Sequence, residues 1–177
     1  MPMESLSHRR CTGAMNLTQI ATVVAALGSA AFGGVLFGFS TLVMPGLDDS
    51  PPAAAVATMQ QINKVAPRSL LAVDMVVTLV LCLGVAVAAL LRLRGDATLG
   101  TGLVLLGCLL YVASFAITAI YHIPHNDAFA SVAADGPDAA RAWRDYAHPW
   151  DVWNHVRAAC ALAGSAAMVV GLLARSA

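Results

Sequence analysis

Apolar residues form four long runs along the chain, separated by one short and two long polar segments. The runs cover residues 17–44, 70–91, 99–121 and 152–174. Because a helix rises 1.5 Å per residue, about 20 apolar residues cross the roughly 30 Å hydrocarbon core of a bilayer. Each run is long enough, and the pattern therefore predicts four transmembrane helices.

The connections between these runs define a predicted topology. Residues 92–96 form a short turn between the second and third runs, whereas the other two connections are each about two dozen residues or longer. With four spans, both long segments must lie on the same side of the membrane. Small residues recur at every fourth position in the first and last runs, which favours close helix packing in lipid: Ala30, Gly34, Gly38, Ala163, Ala167 and Gly171. We expect an all-α membrane protein: a four-helix transmembrane bundle forming one domain over residues 17–177, after a disordered tail, residues 1–16.

Both long segments contain signals for short helices. In the first, Asp49 and Ser50 precede Pro51 and Pro52 and then an alanine-rich stretch. A polar N-cap followed by proline in the first turn predicts a short helix there. In the second, prolines at 124, 137 and 149 predict interruptions, with short helices over residues 127–134 and 138–147. The last span is then expected to begin separately at residue 152.

Composition supports the membrane prediction and limits the partners. The chain is 59% hydrophobic and 11% charged, whereas soluble domains are about 25% charged. Net charge is zero and no basic run is present, so the Lys/Arg surface that nucleic acid requires is missing. The lipid bilayer is therefore the expected partner, and association into homo-oligomers stays open.

Orientation depends on a few basic residues. Lys and Arg are equally divided between the two predicted sides, but Arg92 and Arg94 lie in the short turn, where positive charge has most influence on topology. We expect a multi-pass protein of the cell membrane with both termini and the short turn in the cytoplasm.

The stretch HPWDVWNHVR, residues 148–157, concentrates polar and aromatic residues just before the last apolar run. Helix positions i, i+3 and i+4 share a face, which predicts that Asp151, Asn154 and His155 project together, with Arg157 one turn below Asn154. Trp150 and Trp153 alone are typical of an interfacial belt. The polar cluster admits two interpretations: structural hydrogen bonding, or a ligand site on the side of the long segments.

Two other features carry candidate chemistry. His122 and His125, with His155, form a weaker alternative as metal ligands, although their spacing matches no metal signature. A haem is also a weak alternative, because no histidine lies in the middle of a span. Asp74 lies about one turn inside the second span, where an ionisable residue is a candidate functional group. Because it is near the end of the span, it could equally face water or pair with Arg68 or Arg157.

A set of short motifs resembles a known family. The motifs are FGFSTLVMPGL (37–47), MQQIN (59–63), HIPHNDAFA (122–130) and WNHVR (153–157), preceded by Trp143, Tyr146 and Trp150. In order and spacing they resemble the anthrone oxygenase-like family of small four-span membrane proteins. The resemblance implies an oxidoreductase that oxidises a lipophilic aromatic such as an anthrone with O₂, without a metal, flavin or other cofactor. Asn63, Asn126, Trp153, Asn154, His155 and Arg157 match recurrent family positions, whereas His122 replaces an asparagine that is common in the family.

The resemblance and the physical chemistry together suggest roles for single residues. An enolisable aromatic ketone needs a base before it reacts with O₂, and we expect His155 in that role, with Asn154 and Arg157 stabilising the oxyanion. Trp150, Trp153, Asn126, Asn63 and Asp151 are expected to bind substrate. The sequence also admits a non-enzymatic membrane module that binds a lipophilic ligand or a partner protein through the same end of the bundle, on the side of the long segments. Whether the protein is an enzyme, possibly a cofactor-independent monooxygenase, stays open at this stage.

Overall fold

The computed structural model describes residues 15–95 and 97–175. All regular structure in these ranges is helical, and four helices are long and apolar enough to span a membrane, which confirms the predicted fold class. The predicted disorder of the tail falls on residues outside the described ranges, apart from residues 15 and 16. The helices are α1 (Leu17–Gly38), α2 (Met44–Asp48), α3 (Pro52–Val65), α4 (Leu70–Leu93), α5 (Leu99–Ile117), α6 (Ile123–Phe129) and α7 (Ala139–Leu173).

Three spans begin at residues that cap their first turn. Asn16 and Gln19 exchange side-chain hydrogen bonds with each other's backbone at the start of α1. Ser69 accepts a hydrogen bond from the backbone at the start of α4, and Thr98 does so for α5. These caps satisfy N–H groups that have no partner within the helix, at the positions where the apolar runs begin.

Two π-helical turns extend the first and third spans beyond their apolar runs. Phe39–Val43 joins α1 to α2, and Thr118–His122 joins α5 to α6. The helical spans therefore cover Leu17–Asp48 and Leu99–Phe129. The prediction that Pro124 ends the third span is wrong, because it lies in the first turn of α6, where its missing N–H costs little. The helix predicted over residues 127–134 ends instead at Phe129.

The last span is also longer than predicted. Helix α7 runs without a break from Ala139 to Leu173 with Pro149 inside it, so the separate helix over residues 138–147 and the interruption at Pro149 are wrong. Proline removes one helical N–H, a loss that neighbouring side chains compensate in membrane proteins. In α7 the carbonyl oxygen that loses its helical donor is that of Asp145, and the next one, that of Tyr146, lies 3.2 Å from His125 Nε2.

The short helix predicted in the first long segment is confirmed as α3. It begins directly after Pro51, however, and no side chain of the described residues caps it, so the predicted capping by Asp49 or Ser50 is wrong. Its residues Ala55, Val56 and Met59 are fully buried. Helix α3 therefore packs as a cover over the end of the bundle.

The closest helix contact joins α5 and α7 through glycines. A Cβ on Gly107 would lie 2.5 Å from the carbonyl oxygen of Gly164, and one on Gly100 would lie 2.7 Å from that of Gly171. Of the predicted small-residue positions, Gly171 makes such a contact, whereas Gly34 and Gly38 have open space where a Cβ would be. Close backbone approach therefore joins the last two spans.

Two hydrophobic cores are stacked along the bundle. One lies among the four spans around Phe32, Cys108 and Tyr111. The other lies at the end of the bundle on the long-segment side, around Met59, Phe129 and Trp143, where α2, α3, α6 and the start of α7 meet. Phe32 of the first core and Met59 of the second both line the space between them.

Candidate functional site

A cavity of about 210 Å³ lies beneath α3, and all four spans contribute to its wall. Most of the wall is apolar, including Phe32, Leu36 and Met59. Its polar members come from four different elements: Asn63, Thr118, His122, Asn126, Trp150 and Arg157. An apolar cavity with a few convergent polar groups is the usual form of a small-molecule site.

Arg157 is the most unusual member of this wall. Its side chain is only 7% exposed, and its guanidinium carbon lies 5.5 Å from the centre of the Trp150 ring. Arg157 Nε donates to Asn154 Oδ1 at 2.8 Å, and Nη1 donates to Thr118 Oγ1 at 3.1 Å. The ion pairs found across the described ranges join other residues, so no carboxylate in that part of the chain neutralises this cation. A buried charge with only neutral partners is costly, which makes it a candidate to receive an anion.

Asn154 holds the side chain of Arg157 in position. It is fully buried, and its Nδ2 donates to the carbonyl oxygen of Leu36 at 2.8 Å and to Ser40 Oγ at 2.6 Å. Ser40 and Thr118 belong to the two π-helical turns, so each turn supplies one hydroxyl to the Asn154–Arg157 pair. Short π-helical turns occur frequently at functional sites.

A second network links the cover to the cavity through Asn126. Its Oδ1 accepts from Tyr146 Oη at 2.8 Å and from Trp150 Nε1 at 3.0 Å. Asn63 of α3 donates to Tyr146 Oη at 3.1 Å. The network therefore fixes Trp150 and holds α3 in place over the cavity.

His122 completes the polar wall. The ring is 1% exposed and stands edge-on to Trp150 with ring centres 5.2 Å apart. Nε2 lies 3.3 Å from the backbone carbonyl oxygen of Trp150, and the buried Nδ1 has no hydrogen-bond partner among the described residues. The contacts with Trp150 hold the ring in one orientation at the cavity wall.

Residues 68–167, more than half of the chain, match the protein family described as anthrone oxygenase. The chain belongs to the anthrone oxygenase family. No curated protein and no solved structure matches it. The range matched to anthrone oxygenase contains Thr118, His122, Asn126, Trp150 and Arg157, but Asn63 on α3 lies before it. The family match therefore covers most of the polar wall.

In this anthrone oxygenase family member, the residues predicted to share one face of α7 are divided between two faces. Asn154 and Arg157 are buried at the cavity, whereas Asp151 and His155 point to a separate open groove beside Asp48 and His148. His155 Nδ1 lies 2.9 Å from the carbonyl oxygen of Asp151 and 3.5 Å from its Oδ2. With about 100° between successive helix residues, the pair 151/155 and the pair 154/157 point in clearly different directions. The expectation of a shared face is therefore wrong, while a catalytic role for His155 stays a prediction.

The other predicted site residues also separate into two groups. Trp150, Asn126 and Asn63 line the cavity. Trp153 is 41% exposed and packs against Tyr121 outside it, with ring centres 5.5 Å apart. The aromatic surface available to a ligand in the cavity is therefore that of Trp150.

The alternative metal site does not assemble in the described part of the chain. The rings of His122 and His125 both contact Tyr121, whereas His155 lies on the groove. No three His, Cys, Asp or Glu side chains within residues 15–95 and 97–175 are placed to hold a metal ion. Asp74 accepts a 3.4 Å hydrogen bond from Thr78 and forms neither of the two ion pairs considered for it.

From the sequence, His122 is predicted only as a weak alternative metal ligand, although a signal for its burial is present. Ser114 and Thr118 precede it at intervals of four residues in an otherwise apolar run. All three are buried, and Ser114 donates to the carbonyl oxygen of Arg157 at 2.8 Å. This polar row on the third span predicts the face that meets Arg157.

Proposed function

We propose that the protein oxidises a lipophilic aromatic ketone of the anthrone type with O₂, inside the cavity beneath α3. The methylene carbon opposite the ketone loses two hydrogens and gains one oxygen atom, which gives a quinone. The second oxygen atom of O₂ leaves as water, so O₂ is the only oxidant and the substrate supplies all electrons. The proposal therefore needs no metal or organic cofactor. The observation that carries it is the buried, uncompensated charge of Arg157 at the cavity wall.

Arg157 fits the charge that this reaction generates. Loss of a methylene proton converts the ketone into an enolate, whose negative charge is largely on oxygen. A fixed cation in a water-poor cavity stabilises such an oxyanion far more than it stabilises the neutral ketone. Because Asn154 and Thr118 already hold the guanidinium, little reorganisation is needed when the charge forms.

The cavity also fits the physical character of the substrate. Its volume of about 210 Å³ is smaller than the roughly 300–1,000 Å³ of sites for drug-sized ligands, which favours a compact fused-ring molecule. Its wall is mainly apolar, and Trp150 offers an aromatic surface. A substrate of this kind concentrates in the bilayer and reaches the bundle from there.

The direct test uses anthrone as the probe with protein purified into nanodiscs. We expect wild-type protein to consume one O₂ per anthrone and to form anthraquinone. An oxygen electrode measures the O₂ uptake, and absorbance measures the anthraquinone. Arg157→Gln should lower kcat by about 10²–10³-fold, as loss of an oxyanion donor does. Arg157→Lys should have a kcat between those of wild type and Arg157→Gln, because it keeps the charge but not the two fixed hydrogen bonds.

The control for Arg157 lies on the same helix. Arg144 is exposed and outside the cavity, so Arg144→Gln should keep the wild-type rate. If wild-type protein turns over anthrone and Arg157→Gln matches it within about threefold, Arg157 is not the oxyanion group. Binding of anthrone, seen as quenching of tryptophan fluorescence without any O₂ uptake, would instead favour the non-enzymatic ligand-binding module, which the same apolar cavity supports.

We also propose that the termini face the cytoplasm of the cell that makes the protein. Arg92, Arg94 and Arg175 lie at span ends on the short-turn side, where positive charge favours the cytoplasm. Reporter fusions at the C-terminus test this orientation. Activity of a reporter that works only outside the cytoplasm would reverse it.

A further inference from the structure

We propose that Asn63 and Asn126 form a hydroxyl-binding pair, so that the preferred substrate is a fused aromatic ketone that also carries a ring hydroxyl. This inference rests on the proposed function for the identity of the ring system, and it adds a second polar anchor besides Arg157. Both asparagines line the cavity, Asn63 from the cover helix α3 and Asn126 from α6. Their hydrogen bonds leave one donor group and one acceptor group unused, and a hydroxyl is the group that matches both.

The indole N–H of Trp150 fixes the direction of the hydrogen bonds around this pair. An indole N–H can only donate, so the side-chain atom of Asn126 that lies 3.0 Å from Trp150 Nε1 is the amide oxygen. Tyr146 Oη lies 2.8 Å from the same oxygen and donates its single proton to it. The lone pairs of Tyr146 Oη are then free to accept from Asn63 Nδ2 at 3.1 Å. The partners therefore determine which way both amides point.

Each amide presents one unused group. Asn126 Nδ2 carries two N–H donors and Asn63 Oδ1 is an acceptor, and in the described part of the chain neither makes a hydrogen bond. Both side chains are half-buried, and neither group is among the inaccessible polar atoms that lack a partner in that part of the chain. Both groups thus keep surface that a ligand can reach. An apolar ligand would leave them unpaired, whereas a hydroxyl would satisfy both.

The two amides are close enough to serve one small group. Asn63 Nδ2 and Asn126 Oδ1 lie 3.1 Å and 2.8 Å from the same atom, Tyr146 Oη. A ligand hydroxyl that accepts from Asn126 Nδ2 and donates to Asn63 Oδ1 would continue this chain of hydrogen bonds in the same direction. Hydrogen bonds arranged in this way polarise and strengthen one another. A methoxy oxygen could only accept, and would leave Asn63 Oδ1 without a donor.

The other polar groups of the wall are less suited to a hydroxyl. Thr118 Oγ1 already donates to the carbonyl oxygen of Ser114 at 3.1 Å and accepts from Arg157 Nη1 at 3.1 Å. His122 Nδ1 is buried, and Nε2 lies against the backbone carbonyl oxygen of Trp150. Arg157 can only donate, and its charge favours the ketone oxygen, where negative charge develops. The asparagine pair is therefore the part of the described wall that offers both a donor and an acceptor.

Trp150 contacts both polar anchors through different parts of its indole. Nε1, at the edge of the ring system, donates to Asn126, whereas the guanidinium carbon of Arg157 lies 5.5 Å from the ring centre. Within residues 15–95 and 97–175, the hydrogen bonds of the guanidinium go to Asn154 and Thr118 and not to the asparagine pair. We expect the ketone oxygen to bind towards Arg157 and the hydroxyl, on another part of the ring system, towards the pair.

The test measures binding alone, with anthracene, 2-hydroxyanthracene and 2-methoxyanthracene as probes. These probes have no ketone, and the measurement is made without O₂, so oxidation does not interfere. Energy transfer from tryptophan to the probe reports binding to protein in nanodiscs. The readout is the hydroxyl preference, defined as the Kd of anthracene divided by the Kd of 2-hydroxyanthracene. Two neutral hydrogen bonds give an expected wild-type preference of about 10–100-fold, with 2-methoxyanthracene closer to anthracene.

Asn63→Leu keeps the size of the side chain but removes the acceptor. The hydroxyl preference should then fall at least about fivefold, the effect of losing one such hydrogen bond. The hydroxy and methoxy probes should bind this variant nearly equally, because Asn126 can donate to either oxygen. Partitioning of the probes into the bilayer is the same for every variant and cancels from the comparison. A purely structural role of Asn63 would weaken all three probes alike and leave the preference unchanged.

Gln60 provides a matched control on the same helix. Its Nε2 donates to the carbonyl oxygens of Phe129 and Val132 at 3.0 Å and 2.8 Å, which holds α3, but Gln60 does not line the cavity. Gln60→Leu should loosen the cover without changing the pair, so the hydroxyl preference should stay within about twofold of wild type. An equal fall in Gln60→Leu and Asn63→Leu would assign the effect to the position of the cover and overturn the role of the pair.

The outcomes separate this inference from the proposed function. Wild-type protein that has no hydroxyl preference, or that binds none of the probes, overturns the hydroxyl-binding pair even if anthrone is oxidised. A preference that persists in Asn63→Leu overturns it as well. A preference that is lost in Asn63→Leu, in a protein that does not consume O₂ with anthrone, would support the pair as part of a ligand site and refute the oxygenase function.

Discussion

Replacing Asn154 by alanine should destabilise the bundle strongly, because this one side chain links three elements. Asn154 is fully buried and connects the Leu36 carbonyl oxygen, the Ser40 hydroxyl and Arg157 Nε. Hydrogen bonds between membrane helices contribute roughly 0.6 kcal/mol on average and about 1.7 at most. One to a charged group contributes about 1.5–3 kcal/mol. We therefore expect Asn154→Ala to lower the free energy of unfolding by about 3–6 kcal/mol.

The matched control is the next residue along the helix. His155 is exposed, and among the described residues its polar contacts are with Asp151 on the same helix, so His155→Ala should change stability by no more than about 0.5 kcal/mol. Both variants are measured by reversible unfolding with SDS in mixed micelles, followed by circular dichroism. A loss below about 1 kcal/mol for Asn154→Ala, or equal losses for the two variants, would refute the view that Asn154 joins the spans.

Two further substitutions, each with a control variant, test a close helix contact and a hydrogen bond in the same unfolding assay. Gly107→Ala places a Cβ 2.5 Å from the carbonyl oxygen of a glycine on α7 and should cost about 1–3 kcal/mol. Gly102→Ala, on the same helix with open space, should be neutral or stabilising, and equal effects would contradict the packing argument. Trp143→Phe removes the 2.8 Å hydrogen bond from its Nε1 to Asp48 and should cost about 1.5–3 kcal/mol. Trp153→Phe loses no hydrogen bond recorded in the described chain and should cost under about 0.5 kcal/mol; the reverse order would show that the Asp48 contact contributes little.

The number and type of the spans could be predicted because they depend on local properties. Length and hydropathy are read residue by residue, and a bilayer imposes a minimum on both. The helix ends are less predictable, since Pro124 and Pro149 indicate breaks that the structure does not have. Pro124 falls in the first turn of a helix, and the turn before Pro149 receives a contact from His125, a residue 24 positions earlier in the chain. A tertiary contact of this kind is not visible in the local sequence.

The candidate site was predicted in part for a similar reason. Family motifs and helix spacing pointed to Asn63, Asn126, Trp150 and Arg157, which do line one cavity. The direction in which a side chain points depends on small angular differences, and neighbouring helix positions differ by about 100°. The absence of a carboxylate partner for Arg157 also depends on every other chain segment within reach. Both properties can be seen only in the assembled bundle.

The uncompensated charge of Arg157 has a consequence for how the protein is made. The last helix is synthesised after the other three, and it must bring this cation into the membrane, at a cost of up to about 2.5–3.5 kcal/mol at the bilayer centre. Its hydrogen-bond partner Thr118, and the groups that hold Asn154, belong to spans synthesised earlier. Insertion of the fourth helix is therefore expected to be efficient only once the first and third are in place. Arg157 is thus expected to make membrane integration an ordered, cooperative process.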